Sequence, residues 1–268
     1  MKQQTTRDFF ATHPVFSLDE ATRDLSPPGG RSGTLERLKY HIEKGRIKSV
    51  ARGVYAVVPP GVSPDNFNPD PFLVAATARP QGVFVYHSAL DLLGAAHSAW
   101  HIHTIFVESP RRPIKLDEIA IKFLAHPKPL RTKKAQTTGT RKMERQGRWI
   151  SVAGPERTLV EGFRNPHYVG GVEELLLSAS GFPVLNLSLL EQILKTYDTR
   201  KLWAATGWFL EQFQKDFHVP EETLNRFENN IPRSPLYLIH DNRGGTLAHR
   251  WNLILPDTVQ SLELINET

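Results

Sequence analysis

The sequence predicts a mixed α+β fold, in which an N-terminal winged helix-turn-helix precedes a larger α/β domain with helices collected in its second half. Residues 17–58 carry two helical patterns and then two short runs of β-formers. Residues 59–71 hold five prolines in thirteen positions, which is typical of a linker. The remaining chain alternates strand and helix patterns and becomes helical from Pro155 onwards. We therefore expect a winged helix over 1–58, a Pro-rich linker over 59–71 and an α/β domain over 72–268.

The first helix of the helix-turn-helix pattern begins after Ser17. Ser17 and Glu20 have the spacing of a capping box, in which a hydroxyl and a carboxylate satisfy free N–H groups at a helix start. Leu18, Ala21, Thr22 and Leu25 then give this helix one apolar face. The following segment, SPPGGRSG, ends the helix because proline cannot continue it and glycine admits turn dihedrals.

The second helix of the pattern is expected to begin near residues 32–33 and to end at Lys44. Leu35, Leu38 and Ile42 recur at helical spacing, which predicts that their stripe faces the core. The opposite face and its edges carry side chains that can bond to base edges, and arginine can bind guanine through two hydrogen bonds. The residues expected to read bases are Thr34, Arg37, Tyr40 and His41.

Two runs of β-formers, Ile47–Val50 and Val54–Val57, follow this helix, with Arg52-Gly53 at the expected bend. Helix, turn, helix and basic hairpin in this order favour DNA binding. Basic side chains around the helix would bind phosphates, which position a protein on DNA without specifying the sequence. Lys39 is excluded from this set because it lies on the expected core side. The residues expected to bind phosphates are Arg31, Ser32, Lys44, Arg46, Lys48 and Arg52.

Basic residues are concentrated in two blocks of the chain. Residues 31–52 hold seven lysines and arginines against two acidic residues, and residues 111–148 hold twelve against three. Residues 149–268 hold ten against fifteen, while the whole chain has a net charge of +5. Two separated basic blocks favour a polyanionic partner. The second block could extend the DNA footprint, dock an acidic or RNA-bound partner, or be only a soluble loop. The residues expected to form a second basic surface there are Arg111, Arg112, Arg131, Lys133, Lys134, Arg141, Lys142, Arg145 and Arg148.

The composition excludes several classes of protein. Cysteine is absent, so the chain has no disulfide framework, no thiolate zinc site and no cysteine nucleophile. The polar N-terminus MKQQTTRDFF lacks the pattern of a signal peptide, and no window approaches about 18 apolar residues. We therefore expect a cytoplasmic protein without a membrane span.

The α/β segment offers no convincing catalytic constellation. His87, His101 and His103 are interpreted as strand histidines with local hydrogen bonds, because no carboxylate with ligand spacing accompanies them. Glu156 is interpreted as a carboxylate favoured by the dipole at the start of its helix. Lys128–Arg148 has almost no apolar residues and is expected to be a long exposed loop or a hairpin tip. We expect no catalytic residue, no metal and no cofactor.

Strand patterns are expected at residues 83–86, 101–108, 118–124 and 149–152. Two late strands are expected to flank a turn at residues 241–245.

Several different short motifs follow one another along the chain, and their order is more informative than any one of them. They are Gly33-Thr34-Leu35, Arg46-Ile47, Arg52-Gly53-Val54-Tyr55, His87-Ser88-Ala89-Leu90 with Gly94, Glu156-Arg157-Thr158-Leu159 and Gly207-Trp208-Phe209-Leu210-Glu211. In this order the chain resembles the AbiEi antitoxin family, the transcriptional-regulator half of type IV toxin–antitoxin pairs. The resemblance covers residues from about 15 to 215, and the last fifty residues match no pattern.

The resemblance implies a winged helix that binds repeats in its own promoter and a C-terminal domain that counteracts a nucleotidyltransferase-like toxin. We therefore predict a non-enzymatic, sequence-specific transcriptional autoregulator whose partners are double-stranded promoter DNA and the cognate toxin. Two alternatives stay open: a module that uses its winged helix to dock proteins, and a DNA-processing enzyme.

Overall fold

The computed structural model describes residues 5–239 and 244–259, and its architecture is the predicted mixed α+β fold with an N-terminal winged helix. The chain divides into two compact units. The expected linker at 59–71 lies inside the first unit. The first unit comprises Met1–Val83, His101–Ala125 and Lys142–Ser151, and the second comprises Phe84–Trp100, His126–Arg141 and Val152–Thr268.

The winged helix occupies the start of the first unit. Its strand β3 pairs antiparallel with both β1 and β2, and β2 and β3 form the predicted hairpin with Arg52-Gly53 at the bend. Gly53 has a φ of +72°, which favours glycine at this bend. The elements are α1 (Thr6–Thr12), β1 (Val15–Ser17), α2 (Leu18–Leu25), α3 (Gly30–Glu43), β2 (Ile47–Ala51) and β3 (Val54–Val57).

Helix α2 begins as its sequence predicts. The Ser17 hydroxyl accepts a hydrogen bond from the Glu20 N–H at 3.1 Å, and the Glu20 carboxylate accepts one from the Ser17 N–H at 2.7 Å. The capping box is therefore confirmed. The turn that follows α2 uses Gly29 at a φ of +82°, and α3 begins at the next residue, earlier than predicted.

An aromatic cluster forms the core of the winged helix. Phe9 and Phe16 are fully buried, with their ring centroids 5.0 Å apart in an edge-to-face arrangement. Phe16 also stacks on Tyr55, with centroids 5.7 Å apart. Leu25 of α2 and Leu38 of α3 belong to the same core. This core holds both helices against the sheet and so determines which face of α3 is exposed.

A six-stranded sheet follows in the order β6-β7-β5-β4-β9-β8. Strand β7 pairs parallel with β5 and antiparallel with β6. Strand β6 is absent from the predicted strands because Pro113 and two exposed arginines interrupt its apolar pattern, and an edge strand tolerates both features. The elements of this part are α4 (Pro71–Ala78), β4 (Val83–Phe84), β5 (Ile102–Val107), β6 (Arg111–Leu116), β7 (Ile119–Ala125), β8 (Thr140–Arg145) and β9 (Arg148–Ala153).

Residues 128–148 contain regular structure. They include helix α6 (Lys128–Thr132), anchored by the buried Leu130, and strand β8, so the prediction of a long exposed loop is wrong. The alternative of a hairpin tip is confirmed, because β8 neighbours β9 in the sheet. The tip residues Gln146 and Gly147 have φ values of 49° and 81°, and positive φ at both positions suits the twist of a two-residue hairpin.

The second unit is mainly helical. Helix α10 is buried at every position from Leu202 to Leu210, and an added Cβ at its Gly207 would lie 2.1 Å from the ring of Trp251. Most of the predicted turn at 241–245 lies outside the described residues. The elements are α5 (His87–Leu92), α7 (Pro155–Arg164), α8 (Val172–Ser180), α9 (Leu187–Tyr197), α10 (Arg200–Gln212), α11 (Glu221–Glu228), β10 (Leu236–Tyr237), β11 (Thr246–Ala248) and β12 (Leu253–Leu255).

Candidate nucleic-acid interface

Helix α3 exposes a face that carries Arg37, Tyr40 and Lys44. Arg37 and Lys44 are exposed, and Tyr40 keeps 49% of its surface accessible. The Lys44 ammonium lies 5.9 Å from the centroid of the Tyr40 ring, within the range of a cation–π interaction. The prediction that Arg37 and Tyr40 lie on the outer face of this helix is therefore confirmed, and both side chains are free to meet a partner.

Thr34 and His41 do not lie on that face, so their prediction as base-reading residues is wrong. Thr34 is fully buried, and its hydroxyl donates to the Gly30 carbonyl at 2.9 Å. His41 is 8% exposed, with its ring edge-on to Phe10 at a centroid distance of 5.0 Å. Neither side chain can reach a base without unpacking the core.

The cause of this error is a small rotation of the buried stripe. Thr34, Leu38 and His41 are the buried residues of α3, at spacings of four and three. The predicted stripe shares Leu38 with the observed one but also included Ile42, which is 38% exposed. The same rotation exposes Lys39, so its exclusion from the outer surface is wrong as well.

The buried His41 makes the stability of the winged helix sensitive to acid. Burial, together with the charges of Arg46 and Arg37, lowers the pKa of His41 below its usual 6.5. Its Nδ1 is buried without a hydrogen-bond partner among the described residues. The unfolded chain binds this proton more readily than the folded chain does. The contribution of neutral His41 to the free energy of unfolding is therefore fully present above about pH 6.5 and is lost as the pH falls below that value.

We expect the free energy of unfolding to fall more between pH 7.5 and 5.5 in the native chain than in a His41→Leu variant. Urea denaturation at both pH values measures the difference. The neighbouring Ile42, which is exposed and does not titrate, serves as the control position, and Ile42→Leu should keep the native dependence on pH. A His41→Leu variant with the same acid sensitivity as the native chain would contradict the assignment.

The predicted phosphate-binding residues have different surroundings. Ser32, Arg46 and Arg52 are exposed, as is Lys44 on the face described above. Arg31 is exposed and forms an ion pair with Asp19. Lys48 is half-buried, and its ammonium donates to the Phe67 carbonyl at 3.2 Å. One of its hydrogen-bond donors is therefore already used within the first unit.

The bend of the hairpin is held in place by the start of α2. The Leu18 N–H donates to the Gly53 carbonyl at 2.8 Å. Arg52, the preceding residue, is left exposed at the bend. The hairpin therefore presents a positive charge from a fixed position.

The predicted second basic surface is divided between the two units. Arg111, Arg112, Lys142, Arg145 and Arg148 lie in the first unit, while the other four residues lie in the second. The second group comprises Arg131, Lys133, Lys134 and Arg141.

Two members of that predicted surface have structural partners in the first unit. The Arg145 guanidinium donates to the Asp70 carboxylate at 2.6 Å and lies over the Phe72 ring. The Arg148 guanidinium donates to the Glu20 carboxylate at 2.9 Å and to the Val15 carbonyl at 3.2 Å. We therefore correct their assignment, since their charges are compensated by neighbouring groups.

Two of the three histidines considered as metal ligands have other neighbours. His87 is buried, with its Nε2 3.5 Å from the Glu174 carboxylate, while His103 packs edge-on against Phe72 and His101 is exposed. Within residues 5–239 and 244–259, no three histidine or acidic side chains are grouped as metal ligands. Glu174 also accepts hydrogen bonds from Ser98, a role that no local sequence pattern signals.

The motif Glu156-Arg157 contributes to a buried network in the second unit. Arg157 and Glu161 are completely buried and form an ion pair at 2.8 Å. The same guanidinium donates to the carbonyls of Gln136 (2.6 Å) and Thr138 (3.1 Å). Glu156 is buried at the start of α7, where its carboxylate accepts from the Asn186 N–H at 2.8 Å. These residues link α7 to neighbouring segments of the same unit.

Comparison with known proteins identifies a solved structure of similar fold. No family model and no curated protein matches this chain. Its fold is similar to that of the RV2827C protein from Mycobacterium tuberculosis. The crystal structure of that protein superposes with a TM-score of 0.63 over 97% of this chain and 92% of its own, at 15% sequence identity. At this identity the likeness shows the fold alone.

The described helices have one further property in common. None of those within residues 5–239 and 244–259 is both long and apolar enough to cross a membrane.

Proposed function

We propose that this protein is a sequence-specific DNA-binding transcriptional regulator that acts on its own promoter, with α3 as its recognition helix. The observation that carries the proposal is the exposed face of α3, where Arg37 and Tyr40 lie beside Lys44. Arginine and tyrosine can donate hydrogen bonds to base edges, while the lysine charge attracts the backbone. Docking this face in a major groove would use a helix in the way that helix-turn-helix proteins do.

The charges around α3 support the same function. The exposed residues that flank the face include Arg31 at the start of the helix, Arg46 just after it and Arg52 at the hairpin bend. Arg46 and Arg52 would each neutralise a phosphate and release a counterion, and Arg31 would do so in exchange for its exposed ion pair with Asp19. Affinity should therefore fall steeply with salt concentration. These contacts would position α3, and Arg37 would contribute the discrimination between sequences.

We infer that the protein is also the antitoxin of a type IV pair, in the cytoplasm, and that it counters a nucleotidyltransferase-like toxin. The resemblance to the AbiEi family motivates this inference. The second half of the chain is acidic, with ten bases against fifteen acids over residues 149–268, and this charge suits a protein partner better than DNA. Growth arrest caused by such a toxin, encoded beside this gene, should be relieved by co-expression of the full chain.

A promoter reporter tests the regulatory role in cells. The DNA upstream of the coding sequence would drive the reporter, with the full chain supplied from a second plasmid. We expect repression by the native chain and release of repression by Arg37→Ala at equal protein level. Glu43→Ala, an exposed change near the end of the same helix, should still repress. A reporter that does not respond to the native chain would favour the protein-docking alternative.

A further inference from the structure

A large open cleft lies in the first unit. Its volume is about 1210 Å³, and its lining comes from the start of α2, the hairpin bend, the end of α4 and strand β6. Two of the proposed phosphate-binding residues, Arg31 and Arg52, are part of this lining. The cleft therefore begins at the proposed DNA-binding surface and extends to residues outside the winged helix.

The cleft carries an excess of positive charge. Of its described lining residues, eight are lysine or arginine and two, Asp19 and Glu20, are acidic. Both acids have basic partners, because Asp19 pairs with Arg31 and Glu20 pairs with Arg148 at 2.9 Å. Among the described residues, five of the lining bases have no acid within ion-pair distance. They are Arg52, Arg79, Arg111, Arg112 and Lys115.

Only part of the Arg79 guanidinium has an acceptor in the described part of the chain, because one terminal N–H group donates to the Ala78 carbonyl. The guanidinium lies 5.2 Å from the centroid of the Phe123 ring, and its Nε is buried without a hydrogen-bond acceptor in the described part of the chain. Burial and the nearby charge of Arg111 lower the pKa of Arg79. Two arginines that line the same cleft without an ion-pair partner among the described residues are a favourable place for an anion.

We propose that this cleft holds the sugar–phosphate backbone of the DNA that α3 reads, with Arg79, Arg111 and Arg112 as phosphate contacts beyond the winged helix. This inference rests on the proposed function and names a second part of the same interface. A backbone fits better than a small anion, because the cleft exceeds the roughly 300–1,000 Å³ of ordinary ligand pockets. Its unpaired charges also come from three separate elements, as an extended polyanion requires.

Only part of the basic block of residues 111–148 lines this cleft. Arg111 and Arg112 line the cleft, whereas Arg131 and Lys142 do not, although all four side chains are exposed. Phosphate contacts position DNA without reading it, so removing the first pair should weaken binding to every duplex alike. The second pair provides a control with the same loss of charge.

The test compares Arg111→Ala/Arg112→Ala with Arg131→Ala/Lys142→Ala in the full chain. Fluorescence anisotropy would measure dissociation constants for the upstream duplex and for a shuffled duplex between 50 and 200 mM KCl. The cleft variant should bind both duplexes about tenfold more weakly, with a salt slope reduced by about two, because each lost phosphate contact removes about 0.9. The control variant should keep the affinity and slope of the native chain. Arg111→Lys/Arg112→Lys should restore binding.

Other outcomes overturn the inference in different ways. If the native chain binds the upstream duplex and both double variants bind it equally well, the cleft is not part of the interface. If DNA binding is unchanged but the cleft variant loses binding of inorganic pyrophosphate, the cleft is a small-anion site instead. If the native chain binds no duplex, the proposed function itself fails. Thermal unfolding of each variant would exclude loss of fold as the cause.

Discussion

Replacing the buried Arg157 by alanine is expected to lower the free energy of unfolding of the second unit by about 3–5 kcal/mol. The substitution leaves the Glu161 carboxylate buried without its cation, although the Tyr197 hydroxyl still donates to it at 2.5 Å. It also removes the donor from the carbonyls of Gln136 and Thr138. A buried charge without its partner is costly because little solvent can compensate for it.

Tryptophan fluorescence during urea denaturation measures this effect. Four of the five tryptophans, at positions 100, 203, 208 and 251, belong to the second unit, so the signal reports mainly on its unfolding. Lys195→Ala is the matched control, because Lys195 and Glu191 also form an i,i+4 pair at 2.7 Å but Lys195 is 66% exposed. An exposed pair contributes about 0.3–0.5 kcal/mol. Equal losses in the two variants would contradict the account of this network.

Replacing Arg37 by alanine is expected to reduce the preference for the upstream DNA by about 10- to 100-fold. A bidentate arginine–guanine contact contributes roughly 1–3 kcal/mol of discrimination, and Arg37 has the exposure and the position on α3 to make one. Binding to a shuffled duplex should weaken much less, because Arg37 would contribute only its charge there. Competition between the two duplexes for labelled DNA measures the preference directly.

Arg52→Ala provides the contrast to this variant. Arg52 is exposed at the hairpin bend rather than on α3, and is assigned to a phosphate. Its loss should weaken binding to both duplexes by the same factor and lower the salt slope by about one. If Arg37→Ala and Arg52→Ala each lose the same factor of affinity for the upstream and the shuffled duplex, Arg37 does not contribute to sequence recognition.

Local signals in the sequence predict the elements of the winged helix well. The capping box of Ser17 and Glu20 and the hairpin bend at Arg52-Gly53 each depend on residues close in sequence, and both are present in the structure. The exposed position of Arg37 follows from helical periodicity because it lies far from the edge of the stripe. The burial of positions at the edge, such as Thr34, is decided by how α3 packs against its neighbours, which include α2 and β2.

The remaining features depend on contacts between distant parts of the chain. His41 is buried because Phe10 of α1 packs against it, and no pattern within α3 signals this contact. The cleft combines the hairpin, the end of α4 and strand β6, so Arg79 has no local signal that relates it to Arg52. Strand β6 is not predicted from the sequence because an exposed edge strand does not need an alternating apolar pattern.

The preference of the native chain for the DNA upstream of its own gene is measured as the ratio of two dissociation constants. The purified native chain would be titrated at about 100 mM salt against the duplex upstream of its own gene and against a shuffled duplex of equal length and composition. A sequence-specific regulator is expected to prefer the upstream duplex by about 1,000-fold or more. Equal affinity for the two duplexes, or no binding even at low salt, would contradict the assignment of α3 as a reader of DNA.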